Sequence, residues 1–196
     1  MDDERFARAI AAIDEANADD PNEVVVRGES RAKELAHAEL ATEWVHRLTS
    51  EPSEAVLLAA RAHHIRRWMI PRSSHPTGRV GYLRWRRALH DQHSEQVAEI
   101  LRGVGYDEAT IERVQHIVAK RDLATDADVQ LLEDALCLVF VETQLHDLRQ
   151  RLDRPKMVDV VRKTLAKMSA DAIALASTIA VSDDDRALIR EAAEVS

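Results

Sequence analysis

The sequence predicts an all-α protein, and three observations carry the prediction. Apolar residues recur at intervals of three and four along most of the chain, with little of the two-residue alternation that marks strands. Only five glycines and five prolines occur in 196 residues, while Ala, Leu, Arg and Glu abound. Serines and aspartates precede several periodic segments, where a helix needs its first N–H groups satisfied. The expectation is one multi-helix domain of about eight or nine helices spanning residues 1–196. Its core falls at about 1–153, and the C-terminal helices 154–196 pack on it. At 45% hydrophobic residues, the chain is long enough to bury a full core in this way.

The elements follow in order. A first helix is predicted for residues 3–18, with Phe6, Ile10 and Ile13 on its inner stripe. The loop "DDPNEVVVRGES" has room for a short strand at 24–26, which alone makes no sheet. A second helix is expected over 30–49. Ser50 as N-cap and Pro52 in the first turn open a third that reaches Met69, and Pro71 stops it. A basic loop, 71–81, leads into a long helix over 82–102, closed by "GVG". Asp107 caps the next, to about 120, and a long helix with an apolar centre is expected over 126–153. Pro155 opens a further helix, and Ser182 with "DDD" caps the last, where acids suit the positive helix terminus.

Composition removes several classes of function. The longest uncharged apolar run, 135–141, is too short to span a bilayer, and the acidic start "MDDERF" lacks the basic flank of a signal peptide. A cytoplasmic protein without membrane contact is expected. The single cysteine, Cys137, rules out a disulfide framework within one chain and reads as a buried small hydrophobe.

Charge is concentrated. The segment "RAHHIRRWMIPRSSHPTGRVGYLRWRR", residues 61–87, holds eight arginines and three histidines but no acid. Removing those eight arginines from the 27 basic residues leaves 19 against 35 acids elsewhere. Guanidinium forks bind phosphate or carboxylate bidentately and stack on rings, and Trp68, Tyr82 and Trp85 supply rings nearby. The acidic remainder opposes binding of an extended nucleic acid, and no recognition motif for one is present. A small anionic ligand fits better. The same arginines also suit pairing with acids of other helices or of a second copy, which keeps a homo-oligomer among the expectations.

Function is sought where a polar residue occupies a position that periodicity assigns to the core, because burying it unpaired is costly. At 100° per residue, Arg61 and His64 fall on the inner face of the third helix, His63 nearer its boundary, and Arg66 points away. On the fourth helix Tyr82, Trp85, Leu89, His93, Val97 and Ile100 form one stripe, so His93 points inward. Arg86 and His90 flank that stripe. On the second, Glu34 and His37 join the inner face of Ala38, Ala41 and Val45, and Glu39 faces away. Glu133 and Asp134 interrupt the apolar stretch "VQLLEDALCLVFVETQL" and need arginines, a metal or a proton. Two readings stand: a structural carboxylate pair with Arg61, or convergence with the histidines. Lys163 and Lys167 share one helical face, where solvation accounts for them, though Lys163 is also placed to close an anion site. The loop "GRVG" lacks the phosphate-binding P-loop pattern, and its glycines would let a lid with Arg72 and Arg79 move over an anion.

The blocks "RAHHIRRWMIPR", "HPTGRVGYLRWRRAL", "QLLEDALCLVFVE" and "KTLAKMS" resemble the uncharacterised family labelled domain of unknown function 4202, over nearly the whole chain. That resemblance implies a shared architecture but no activity. A wider likeness is to the HD-type metal-dependent phosphohydrolases, all-helical proteins whose ligands come as a His, a His-Asp pair and a distant Asp. His37, His64 and Asp134 follow that order, but Ile65 replaces the Asp after His64, so Glu34, Glu133 or His93 would have to substitute.

Together these observations suggest a metal-dependent hydrolase acting on a small phosphorylated or otherwise anionic metabolite, such as a nucleotide. A divalent ion (Zn, Mn or Fe) would be held by His64, Asp134, His37 and Glu34. Glu133 and His93 would serve as acid–base groups, and Arg61, Arg67, Arg72, Arg79, Arg86 and Lys163 would bind substrate. The alternatives are a non-enzymatic helical module docking an acidic partner through its arginines, and a non-haem iron oxygenase-like enzyme using similar ligands.

Overall fold

The computed structural model describes residues 3–194, in which ten α-helices and one two-stranded hairpin bear out the all-α class. The chain divides into two units, Met1–Leu132 and Glu133–Ser196. In the first, α1 (Asp3–Ala18) leads to strands β1 (Glu23–Val26) and β2 (Glu29–Ala32). Then come α2 (Lys33–Leu48), α3 (Glu54–Ala62), α4 (Gly78–Gly103) and α5 (Glu108–Val118). The boundary between the units falls inside α6 (Ala127–Thr143).

α3 is the centre of the first unit, packed on α1, α2 and α5. Its alanines 59, 60 and 62 are completely buried, as are Val56 and Leu58. Small residues let the neighbouring helices approach closely, and Ile13, Val45, Ile111 and Val114 fill the space around them, all fully buried. Each large side chain so buried contributes about 1.5–3 kcal/mol.

In the second unit α7 (Leu145–Arg151) and α10 (Asp183–Glu194) both pack on α8 (Arg154–Leu165), and α9 (Ala170–Ala176) follows α8 in the chain. Met157, Val161, Leu188 and Ala192 form the core of this unit. Asp185 is buried beside them and accepts hydrogen bonds from Arg149 Nε at 2.6 Å and Ser182 Oγ at 2.5 Å, with His146 Nδ1 at 3.1 Å. Among the described residues, no helix is long and apolar enough to cross a membrane.

Capping by Asp107 and Ser182 is as expected: Thr110 N donates to Asp107 Oδ1 at 2.8 Å, and Asp185 N to Ser182 Oγ at 3.2 Å. The ten α-helices among the described residues exceed the eight or nine expected, and several boundaries differ, α2 beginning at Lys33 because residues 30–32 lie in β2. The expected lone strand is a hairpin, because Arg27 and Gly28 both adopt positive φ and turn the chain back on itself. α3 is capped by Ser53 rather than Ser50, and it ends at Ala62, seven residues before Met69. α4 begins at Gly78, so the last four residues of the expected basic loop are helix. The long sixth helix breaks at Gln144, whose φ of −123° leaves the helical range, and α7 continues from there.

Candidate functional site

The early end of α3 builds the site. His63 Nδ1 lies 2.8 Å from the carbonyl of Ala60, and Ile65 N donates to Ala62 O at 2.9 Å. Arg66 then adopts the left-handed conformation, φ +47°, which costs a non-glycine residue about 1–2 kcal/mol. Asn17 of α1 holds it there, its Oδ1 accepting from Arg66 N at 3.0 Å, and Ile65 anchors the turn by complete burial. The turn sets the rings of His63 and His64 side by side, 4.3 Å between centroids, and aims the Ile65 carbonyl at His93 Nδ1, 2.8 Å away on α4.

A single-turn helix, Arg67–Met69, follows, and Trp85 Nε1 donates to Ile70 O at 2.8 Å. Arg72 donates to the carbonyls of His75 and Pro76, both at 2.9 Å, closing the loop on itself. Pro76 rests on Gly81, where a Cβ would lie 1.9 Å from its carbonyl oxygen. The turn and the start of α4 are thus pinned at three points.

Between them lies a cavity of about 140 Å³. Among the described residues, four imidazoles line it, those of His63, His64, His90 and His93, with three cations, Arg67, Arg86 and Lys120, and no carboxylate. The Arg67 guanidinium lies over the Trp85 ring, 4.9 Å from its centroid, and Tyr82 adds a second ring 5.9 Å from Trp85. Arg86 forms no ion pair or hydrogen bond with any described residue.

Behind this wall sits Glu34, 4% exposed. Its Oε2 is 3.3 Å from His64 Nδ1 and 3.9 Å from His37 Nδ1, and its Oε1 is 4.0 Å from Arg67 Nε. Oε2 has no aligned hydrogen-bond donor. A carbonyl only accepts, so the carbonyls facing Nδ1 of His63, His90 and His93 fix the proton on that nitrogen and leave Nε2 with its lone pair. His93 Nε2 is buried without a partner. Burial is the main force keeping these rings neutral: it lowers His93 to about 4, with Arg67 adding to the effect. His63 and His64 are held well below 6.5 by burial first, then by His64 for the former and Arg67 for the latter. His37 and His90 are lowered by the same cause.

The structure brings together Glu34, His37, His64, His93, Arg67 and Arg86 of the expected site. The other expected residues lie elsewhere. Arg61 forms a two-pronged pair with Asp14 at 2.5 and 2.7 Å and a longer one with Glu39 at 3.5 Å, so its carboxylates come from α1 and α2, where the sixth helix was expected to supply them. Arg72 serves its own loop, and Arg79 is exposed in the first turn of α4. Glu133 pairs with Lys167 at 3.3 Å, Asp134 accepts from Ser169 N at 2.8 Å, and Lys163 pairs with Asp159 at 2.5 Å, all within the second unit. Among the described residues, no group of three or more His, Cys, Asp or Glu is arranged to hold a metal ion.

Helical phase also misjudged three rings. His63 is the buried histidine of the pair, while the His64 side chain is 33% exposed, because both follow the end of α3 and no longer share its rotation. Tyr82, expected inside, is 43% exposed. Lys120 was not anticipated at all. It follows α5 with φ +53°, a chain reversal that a lysine in sequence does not announce.

An all-helical protein with a cationic, imidazole-lined cavity is the class that fold and site define. A family model described as a domain of unknown function, DUF4202, matches residues 7–189, and the chain belongs to that family. No curated protein and no solved structure matches it.

Proposed function

We propose that the cavity binds the phosphoryl or other anionic group of a small metabolite, a nucleotide being one such ligand, and that the protein hydrolyses it. The observation that carries this reading is Glu34. It is a buried carboxylate without a hydrogen-bond donor at Oε2, placed behind a histidine of an otherwise cationic cavity. A carboxylate next to Nδ1 orients a neutral imidazole and stabilises the positive charge it acquires on taking a proton. His64 would then accept the proton of an attacking water at Nε2 as the water oxygen bonds to phosphorus and the ester P–O bond breaks, and return that proton to the departing ester oxygen. Poor alignment of such a pair is common without substrate. Arg67, Arg86 and Lys120 offset the charge that develops on the phosphoryl oxygens.

The divalent ion expected from the sequence would belong at the same carboxylate, since the nearest ring nitrogens are those of His64 and His37. As they stand these side chains do not make a ready ligand set, and the hydrolytic step above uses the chain's own groups.

Phosphate release from a panel of phosphomonoesters tests the reading, with Glu34→Gln and His64→Gln as variants. Each should lower kcat by about 10²–10⁴ while the fold is retained. Turnover that survives both substitutions, or a panel with no turnover and no phosphate binding, would sink it. Loading with Zn, Mn or Fe, followed by elemental analysis, should show an ion lost in Glu34→Gln if one is held there.

One observation favours a non-enzymatic module. Arg79 and Arg84 are exposed without an ion pair to any described residue, beside exposed Val80 and Leu83. Docking of an acidic partner there predicts salt-sensitive binding abolished by Arg79→Glu with Arg84→Glu, and indifferent to Glu34→Gln.

A further inference from the structure

The cavity is small for a whole metabolite. Sites that enclose drug-sized ligands run to about 300–1,000 Å³, and this one offers about 140 Å³. A ligand seated there must extend outward, and the wall it crosses is identifiable. A second cleft of about 310 Å³, open to solvent, is lined by Leu83, Arg86, Arg87 and His90 of α4. Arg86 and His90 line the inner cavity as well. The two spaces therefore share one wall, made by residues a single helical turn apart, with roughly 5–6 Å between their Cβ atoms.

We propose that the ligand carries two anionic groups, one in the inner cavity and one on the outer cleft, with Arg86 donating to both across the shared wall. This rests on the reading of the inner cavity as an anion site. A guanidinium has five N–H donors, and those of Arg86 meet no acceptor among the described residues. Arg87 supplies the outer charge. Its only ion pair among the described residues is a long one to Asp91, 3.9 Å, with side chains 87% and 75% exposed, which solvent makes weak. Among the described residues, no carboxylate lines either space. Leu83, 54% exposed and one helical turn before these cations in the same cleft, gives the carbon skeleton that joins the two anionic groups an apolar surface. The ligand class is thus a bis-anionic metabolite with a short apolar spacer: a bisphosphate, or a phosphate ester bearing a carboxylate.

Two probes separate the groups. Propylphosphonate has one phosphonate on a three-carbon chain, and 1,3-propanediphosphonate has one at each end. Calorimetric titration of the whole protein at fixed ionic strength should give at least about tenfold tighter binding of the diphosphonate, the scale of one charge-assisted hydrogen bond. Arg87→Gln, at an exposed position that the fold does not need, should remove that advantage and leave propylphosphonate unchanged. Lys120→Gln should weaken both. Equal affinities for the two probes, or an advantage that survives Arg87→Gln, would overturn the proposal while leaving the inner site standing. Failure of propylphosphonate to bind, or binding indifferent to Lys120→Gln, would instead remove the inner anion site and the proposal with it.

Discussion

Glu34 is fixed by its own backbone before its side chain does anything. Its N–H donates to Asp20 Oδ2 at 3.0 Å, and the other oxygen of Asp20 accepts from the backbone and side chain of Asn22 at 2.9 and 2.7 Å. The first turn of α2 is thereby held over the end of α1, with Glu34 and His37 on its buried face. At this scale the titration of the imidazoles makes a prediction. The folded pKa of His93, about 4, lies below the ordinary 6.5, so between those values the unfolded chain binds the proton that the native one refuses. Stability is therefore full above pH 6.5 and falls as the pH drops toward 4. His93 alone accounts for about 3 kcal/mol of that loss, and His63 and His64 act in the same direction. Denaturant unfolding at pH 7 and pH 5 checks this. His93→Gln should flatten the dependence, at a cost in stability at pH 7.

At the scale of elements, the turn between α3 and α4 and the hub on α10 make the sharpest demands. Gly81→Ala would press a methyl group into the Pro76 carbonyl. The loop and α4 would have to separate, at a cost of about 1–3 kcal/mol. Because that loop abuts the cavity wall through Arg72 and Trp85, anion affinity should fall in the same variant, which titration with phosphate measures. In the second unit, Asp185→Asn leaves Arg149 without its buried partner. Breaking a fully buried pair costs about 3–5 kcal/mol, and the partial exposure of Arg149 reduces that to about 2. Hydrogen exchange should then rise in α7 and the first turn of α10, with no change at the cavity.

Across the whole molecule, a chain of formal net charge −8 keeps its acid-free stretch around one cavity. A ligand that binds only the native state raises stability by mass action. Phosphate at about 100 times its Kd should stabilise the unit that carries the cavity by about 2.7 kcal/mol. Raising the ionic strength with chloride should reduce the effect, since the cavity mouth is open to screening. Differential scanning fluorimetry with phosphate against chloride at matched ionic strength measures this, and Lys120→Gln should show little of it.

Some of this was legible in residues alone. The period of the apolar residues gave the helical class. Burial of Glu34, His37 and His93 followed from their places on helical stripes, because those three lie within regular helix, where 100° per residue holds. The same rule failed for His63 and His64, which come after the last residue of α3, and for Tyr82, which is 43% exposed near the start of α4. Local sequence therefore determined which segments are helices, which residues they bury and where positive charge collects, since these depend on neighbours within a few residues. Tertiary structure decided the rest: that Arg61 meets Asp14, that Arg66 turns left-handed against Asn17, and that Glu34 stands behind His64. Those pairings join residues 30–49 positions apart in the chain, and only the packing of helices against one another sets such distances.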